Sequence, residues 1–176
     1  MKKVDFTICN VCDNPDTFAT AKDIQEVYSN VRKFSHHKFT VWRCNSCDSL
    51  HSKEPVNLDE YYQGYLANQS LNYFLLCIYF NRLKKLQKHG FTKSSTLLDY
   101  GCNKGLFLSF LNQKGYLNVS GYDPFITEFA NDKYLSRKYD FVVSYQVIEH
   151  MEEPRNFFFS SNFLFKTRRY FSYRNT

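Results

Sequence analysis

The sequence predicts an α/β protein in which a small cysteine-bearing module precedes a parallel β-sheet. From residue 94 onward, strand-like and helix-like segments alternate, which is typical of a parallel sheet covered by helices. Before residue 58, four cysteines lie in a polar stretch as two Cys-x-x-Cys pairs. We therefore expect a metal-binding module at 1–58, a linker and helix at 59–93, and a partial sheet domain at 94–176.

Composition limits the class of protein. The 176 residues leave room for one ordinary domain, or for a small module with a shortened one. A hydrophobic content of 43% supports a packed core, and the scattered net charge of +6 is typical of a solvated surface. The longest apolar run, 73–80, is far below the ~20 residues that span a bilayer, and the first residues lack the apolar core of a signal peptide. We expect a cytoplasmic protein without a membrane partner.

The cysteine pattern is Cys-x2-Cys-x31-Cys-x2-Cys, formed by Cys9, Cys12, Cys44 and Cys47. Two such knuckles place four thiolates at the corners of a tetrahedron, the geometry of structural Zn²⁺ sites. Sulfur would fill every position, so the zinc ion would be structural and would fold a module too small to hold itself together. Two alternatives stay open: two unrelated cysteine pairs, or His51 in place of one thiolate.

Apolar spacing and glycine stops predict the elements. A helix is expected from Ser70, as its N-cap, to His89, with Gly90 as the stop and Cys77 in its apolar face. The other predicted elements are a strand at 38–43, a strand at 96–100, a helix at 104–114, strands at 119–122 and 139–145, a helix at 154–163 and a last strand at 169–173.

A glycine loop follows the apolar strand that ends at Tyr100. Gly101 allows a tight turn, Asn103 tolerates the left-handed region, and Gly105 lets the next helix start close to a ligand. Asp123 follows 18 residues after Gly105, at the end of the next strand. A strand, a glycine loop and a carboxylate about 20 residues further on form a nucleoside-binding arrangement.

Asp99 indicates which nucleoside is bound. It stands two positions before Gly101, at the end of the strand. A carboxylate there would repel the pyrophosphate of a dinucleotide, but it suits a cationic ligand that has no phosphate. This favours S-adenosylmethionine over NAD.

Two segments resemble class I S-adenosylmethionine-dependent methyltransferases: Asp-Tyr-Gly-Cys-Asn-Lys-Gly at 99–105 and Tyr-Asp-Phe-Val-Val-Ser-Tyr-Gln-Val-Ile-Glu-His-Met at 139–151. The resemblance implies a Rossmann-like parallel sheet. It also implies that the loop holds the methionine part of the cofactor, that Asp123 accepts hydrogen bonds from the ribose, and that Gln146 lies along the cofactor. The implied cofactor-binding residues are Asp99, Gly101, Cys102, Gly105, Asp123, Pro124 and Gln146.

The same resemblance implies a substrate pocket beside Glu149 and His150. His150 would be the base that activates the methyl acceptor, with Glu149 as its orienter or as an alternative base. A four-cysteine zinc module ahead of such a domain is similar to the zinc-containing sugar methyltransferases. The implied substrate is a small molecule, a sugar or polysaccharide precursor such as a nucleotide-linked sugar.

The sequence departs from this family in two places. Only 16 residues separate Asp123 from Asp140, so we expect the family's third strand to be missing and adenine recognition to rest near Pro124. The chain also stops about where a fifth strand is due, which indicates a C-terminally truncated domain, completed by a partner chain or left incomplete. One alternative is therefore a non-catalytic remnant that at most binds the cofactor.

A second alternative is a zinc protein that binds nucleic acid. It would need aromatic rings exposed beside basic residues. The sequence offers Trp42 next to Arg43, and Phe34 near Lys33 and Lys38. This support is thin, and nucleic acid is not the expected partner.

Overall fold

The structure is a computed structural model that describes residues 5–12, 14–57, 60, 72–151, 153–155, 157 and 164. The chain divides into two compact units. The first comprises Met1–Asn68 and Glu152–Arg155, and the second comprises Gln69–Met151 and Asn156–Thr176.

The first unit contains an antiparallel sheet of three strands: β1 (Asp23–Tyr28), β2 (Lys38–Arg43) and β3 (Leu50–Ser52), in the order β1-β2-β3. The strand predicted at 38–43 is confirmed as β2. Every residue of β1 is exposed, so this strand has no buried face that an apolar pattern could have signalled.

The core of this unit is small and contains two of the cysteines. Trp42 is fully buried and packs with Cys9 and Cys44, and Phe18 meets the indole edge-on at 6.4 Å between ring centroids. The Trp42 indole N–H donates to the Phe6 carbonyl at 3.3 Å. So few buried side chains give this unit little hydrophobic stability of its own.

The second unit begins, in its described part, with helix α1 (Tyr73–Lys88). Asn72 caps it, because its side-chain oxygen accepts the Leu75 N–H at 2.8 Å. The predicted N-cap, Ser70, lies outside the described residues. The helix ends as predicted: Gly90 takes φ +90°, the left-handed conformation that glycine adopts most readily.

The remaining elements are strand β4 (Leu97–Tyr100), helix α2 (Leu106–Gln113), strand β5 (Val119–Tyr122) and strand β6 (Phe141–Val143). The three strands form a parallel sheet in the order β5-β4-β6, which confirms the predicted parallel sheet, and α2 lies between β4 and β5. Residues 125–138 contain a single 3-10 turn at Asp132–Tyr134 and no strand, as expected. The carboxyl ends of β5, β4 and β6 therefore lie side by side.

Helices α1 and α2 pack on one face of this sheet. The buried residues of this core are Tyr79, Leu83, Leu86, Phe91, Leu97, Phe107, Phe110, Leu111 and Tyr116. The prediction that Cys77 belongs to this core is wrong, because its side chain is exposed. Tyr79 faces the core instead. Side chains two positions apart on an α-helix point to nearly opposite sides, so Cys77 faces away from the core.

The opposite face of the sheet buries Leu98, Tyr122, Tyr139 and Val142 together with Leu164. The predicted helix at 154–163 is helical at residues 154, 155 and 157, and its other residues lie outside the described part. The predicted strand at 169–173 lies entirely outside it. Within the described residues, no helix is both long enough and apolar enough to cross a membrane.

Candidate functional site

The four predicted metal ligands come together in the first unit. Their sulfur atoms all lie within 4.8 Å of one another, and no disulfide joins them. Cys9 Sγ lies 3.6 Å from Cys12 Sγ and 3.8 Å from Cys47 Sγ, and Cys12 Sγ lies 3.8 Å from Cys44 Sγ. A tetrahedral zinc site with Zn–S bonds of ~2.3 Å has S···S edges of about 3.8 Å. The cluster therefore has the dimensions of a four-thiolate metal site.

Backbone N–H groups of both knuckles point at these thiols. Burial raises the pKa of Cys9, but hydrogen bonds from the backbone of Cys12 and Val11 outweigh burial and lower it to about 6. Burial raises the pKa of Cys44 to about 12, although the backbone of the second knuckle opposes this change. N–H groups directed at sulfur stabilise thiolates, which are the form that binds metal.

His51 lies beside the cluster and outside the four ligands. Its Nε2 is 2.7 Å from Ser49 Oγ, which is itself 2.9 Å from Cys47 Sγ. The His51 ring stacks on Trp42 with 4.5 Å between centroids. The four-cysteine set is therefore the one that the structure brings together, and His51 supports it through a hydroxyl.

The aromatic residues considered for nucleic-acid binding are not available to bases. Trp42 is 0% exposed and Phe34 is 5% exposed. Stacking on a base requires an exposed ring face, so neither side chain supports this alternative.

The glycine loop joins β4 to α2 in the second unit. Three of its residues have a left-handed backbone: Gly101 with φ +75°, Asn103 with φ +50° and Gly105 with φ +69°. The prediction for Asn103 is therefore confirmed. The Gly101 N–H donates to the Tyr122 carbonyl at 2.7 Å, which ties the loop to the end of β5.

Asp123 links that strand end to the loop. Its Oδ2 accepts the Asn103 N–H at 2.9 Å, and its Oδ1 accepts the Phe125 N–H at 3.0 Å. The side chain is almost fully buried. Each carboxylate oxygen has two lone pairs, so each can still accept one more hydrogen bond, for instance from a hydroxyl group.

Asp99 lies in the middle strand, opposite Gly121 of β5 and Val143 of β6. It is 4% exposed, and no hydrogen bond to its carboxylate is found in the described part of the chain. Burial raises its pKa to about 7; the Arg82 guanidinium opposes this shift and the Asp123 carboxylate adds to it. The site thus contains a buried acid that accepts no hydrogen bond from a described residue.

Side chains pack closely against the loop glycines. A methyl group added at Gly101 would collide with the γ-methyl groups of Val147, and one added at Gly105 would lie 2.6 Å from Cζ of Phe129. Cys102 is buried, and its sulfur lies 2.6 Å from where a Cβ on Gly121 would be. Burial raises the pKa of this thiol well above its usual range, so Cys102 acts as an apolar packing residue.

A comparison with protein families assigns this part of the chain. The family model described as "Methyltransferase domain" matches residues 70–174, which is more than half of the sequence. The chain belongs to this family. A comparison with curated proteins found no match. A methyltransferase domain implies the use of S-adenosylmethionine, which agrees with the charge argument made from Asp99.

The other predicted site residues of the methyltransferase domain lie at the ends of β5 and β6. Pro124 is exposed beside Asp123. Gln146 is exposed and has a left-handed backbone with φ +57°, a conformation that non-glycine residues seldom adopt. Glu149 and His150 are exposed in the 3-10 turn at Ile148–His150. Their roles stay predictions.

Four further residues of the domain lie at this edge and were not predicted. Phe129 and Val147 cover the loop glycines. Ser144 is 6% exposed, and its hydroxyl finds no hydrogen-bond partner among the described residues. The Arg82 guanidinium lies 3.8 Å from the centroid of the Tyr145 ring. Of these four residues, only Arg82 could have been found from the sequence. It is a charged residue on the same helix face as Tyr79, three positions earlier, and Leu86, four positions later, and both of these are buried.

Proposed function

We propose that this protein is an S-adenosylmethionine-dependent methyltransferase acting on a small molecule, a sugar or polysaccharide precursor. In this proposal a Rossmann-like sheet holds the cofactor, and a structural zinc ion stabilises the first unit. The observation that carries it is the joining of Asp123 to the glycine loop by the Asn103 N–H, next to the buried Asp99.

The residues at this edge fit a cationic nucleoside. Asp123 has one free acceptor position on each oxygen, which suits the two neighbouring hydroxyls of a ribose. The Asp99 carboxylate is buried without a hydrogen bond among the described residues, so a cationic group there would remove an electrostatic cost. A ligand along the loop would contact Phe129 and Val147, the side chains that cover its glycines.

The bound cofactor supplies a methyl group attached to a sulfonium centre. The task of the chain is to position the acceptor and to exclude water. We assign the proton transfer to His150, because an imidazole can take the proton of a sugar hydroxyl, with Glu149 beside it as orienter or alternative base. Both side chains are exposed to solvent, as a group that meets an incoming substrate must be.

The substrate class rests on the combination of two features. A four-thiol cluster precedes a methyltransferase domain in one chain, as in the zinc-containing sugar methyltransferases that the sequence resembles. We therefore propose a nucleotide-linked sugar as the acceptor.

A turnover assay tests this function. Zinc-loaded protein is incubated with methyl-labelled cofactor and a panel of nucleotide-linked sugars, and labelled product is counted. We expect transfer to at least one of these sugars, and none to single-stranded RNA. Binding of the cofactor without transfer to any acceptor would support the non-catalytic remnant instead. Transfer to RNA would contradict the sugar substrate.

Two variants test the proposed base. His150→Ala should lose turnover and keep its affinity for the cofactor, because His150 is assigned to the acceptor. His89→Ala is the matched control, since His89 is an exposed histidine at the end of α1. Undiminished turnover in His150→Ala removes the assignment.

A further inference from the structure

The four thiols of the cluster differ in their access to solvent. Cys47 is exposed, Cys12 is half-buried, and Cys9 and Cys44 are buried. A chelator that removes a metal ion must first displace one thiolate, and the Cys47 sulfur is the one that it reaches most easily. The groups that hold Cys47 in place therefore matter most for the retention of a metal.

Two side chains form a hydrogen-bonded chain that ends at this sulfur. Ser49 Oγ lies 2.9 Å from Cys47 Sγ, and His51 Nε2 lies 2.7 Å from Ser49 Oγ. The same hydroxyl oxygen is 3.7 Å from Cys9 Sγ, so it reaches both knuckles but lies closer to Cys47. The exposed thiol is thus the one that the Ser49 hydroxyl contacts most closely.

The turn after the second knuckle produces this arrangement. Asp48 has a left-handed backbone with φ +59°, and the Cys44 N–H donates to the Ser49 carbonyl at 2.9 Å, so the chain turns back beside the cysteine pair. Ser49 precedes β3 directly and His51 lies within it, and side chains two positions apart in an extended chain point to the same side. The His51 ring is fixed in turn, because it pairs with and stacks on the buried Trp42 of β2.

Thiolate ligation determines the direction of these hydrogen bonds. A cysteine that binds zinc is a thiolate, which can only accept. Ser49 has one hydroxyl proton and donates it to Cys47, so its oxygen is left to accept the N–H of His51 Nε2. Hydrogen bonds in a chain polarise one another, so a hydroxyl that accepts from His51 is also a stronger donor to the sulfur.

We infer that Ser49 and His51 are positioning residues that form a hydrogen-bond relay onto Cys47 and hold this exposed thiolate in the metal site. The inference rests on the proposed function and deepens it, because it takes the four cysteines to bind zinc. The Ser49 hydroxyl stabilises the negative charge of the sulfur, and the fixed His51 ring keeps that hydroxyl in the donating orientation. The relay thus sets how tightly the first unit retains its metal.

Competition with the chelator pyridylazoresorcinol tests the relay on the full zinc-loaded chain. Ser49→Ala should weaken zinc binding about 10- to 100-fold, the usual effect of losing an outer-shell partner of a metal ligand. His51→Phe keeps a ring against Trp42 and removes the N–H, so it should weaken zinc binding about 3- to 10-fold, the range of a neutral hydrogen bond. Ser35→Ala and His36→Phe are the matched controls, since both side chains are exposed in the loop between β1 and β2, and they should leave the affinity unchanged.

Further variants distinguish a relay from two independent contacts. Adding His51→Phe to Ser49→Ala should cause no further loss of zinc affinity, because His51 acts only through Ser49. Ser49→Thr keeps a hydroxyl and should retain most of the wild-type affinity. His51→Met takes the place of the phenylalanine variant should that variant fail to fold.

Cobalt(II) in place of zinc gives a measurement that a purely structural role would not change. Its absorption spectrum contains a charge-transfer band from sulfur to metal. The intensity of this band reports the number of bound thiolates, and its energy reports how strongly the sulfur atoms hold their electrons. Ser49→Ala should keep the intensity and move the band to lower energy, because the Cys47 sulfur loses a hydrogen bond.

The outcomes are distinct. Unchanged zinc affinity in Ser49→Ala overturns the inference and leaves the proposed function standing. A weaker cobalt band at unchanged energy also overturns it, because the turn would then have been distorted and a thiolate lost. Additive losses in the double variant contradict the relay, since His51 would act independently of Ser49. A wild-type chain that binds no zinc contradicts the zinc site of the proposed function, and the inference with it.

Discussion

The sharpest consequence of the site is the titration of Asp99, and the change Asp99→Asn tests it. Asparagine has nearly the same shape and cannot ionise. In the folded chain burial raises the pKa of Asp99 from 3.8 to about 7. The unfolded chain therefore releases this proton several pH units earlier than the folded chain does. Protonated Asp99 therefore contributes to the unfolding free energy at low pH, and this contribution is lost as the pH rises through about 7.

The magnitude follows from the two pKa values. With a folded pKa of about 7 and an unfolded value of 3.8, the Asp99 contribution to the unfolding free energy falls by about 2 kcal/mol between pH 5.5 and pH 8.0. The variant lacks this titration. The unfolding free energy of Asp99→Asn, measured relative to that of wild type, should therefore rise by about 2 kcal/mol between pH 5.5 and pH 8.0.

Urea unfolding at the two pH values, without cofactor and with zinc saturating, measures this difference. Ellipticity at 222 nm reports the second unit, because α1 and α2 lie there, while fluorescence of the single tryptophan, Trp42, reports the first unit. Glu128→Gln, an exposed carboxyl, is the control. Parallel pH profiles of stability for wild type and Asp99→Asn would contradict this prediction, since Asp99 would then titrate as an ordinary carboxyl.

Three other predictions concern the metal and the loop. Cys44→Ser should lose zinc by elemental analysis and unfold the first unit, seen as a red shift of tryptophan fluorescence, while the exposed Cys77→Ser keeps both metal and fold. Gly101→Ala should destabilise the second unit by about 1–3 kcal/mol in urea unfolding, because φ is +75° and the new methyl meets Val147. Asn103→Gly should stabilise that unit by at most about 1 kcal/mol, since glycine adopts the left-handed region without strain and keeps the N–H bound by Asp123. Unchanged zinc content in Cys44→Ser, or wild-type stability in Gly101→Ala, would contradict these interpretations.

Local spacing explains which parts of the structure could be predicted. The two Cys-x-x-Cys pairs that begin at Cys9 and Cys44 each predict a metal-binding knuckle. The sequence therefore predicts the cluster, provided that the 31 residues between the two pairs form a loop. The step from Asp99 through Gly101 to Asp123 fixes a strand, a turn and the end of the next strand, and the structure brings these residues together. Both patterns lie within a few dozen residues, and their residue types serve few other purposes.

The parts that were missed depend on contacts between distant segments. Phe129 lies against Gly105 because of the path of residues 124–131, which no local pattern specifies. The exposure of Cys77 depends on which side of α1 meets the sheet, and an aromatic-rich helix offers two apolar stripes. Arg82 is partly buried because three rings surround it, and they come from α1, α2 and the segment after β6.

In the proposed function, the loop, Asp99 and Asp123 form a binding site for S-adenosylmethionine. Isothermal titration of the zinc-loaded chain with S-adenosylhomocysteine, and with NAD as the comparison ligand, tests this site. We expect one S-adenosylhomocysteine bound per chain, loss of binding in Asp123→Ala, and no heat with NAD. Binding of NAD in preference to S-adenosylhomocysteine, or no binding of S-adenosylhomocysteine to the folded chain, would contradict this assignment of the site.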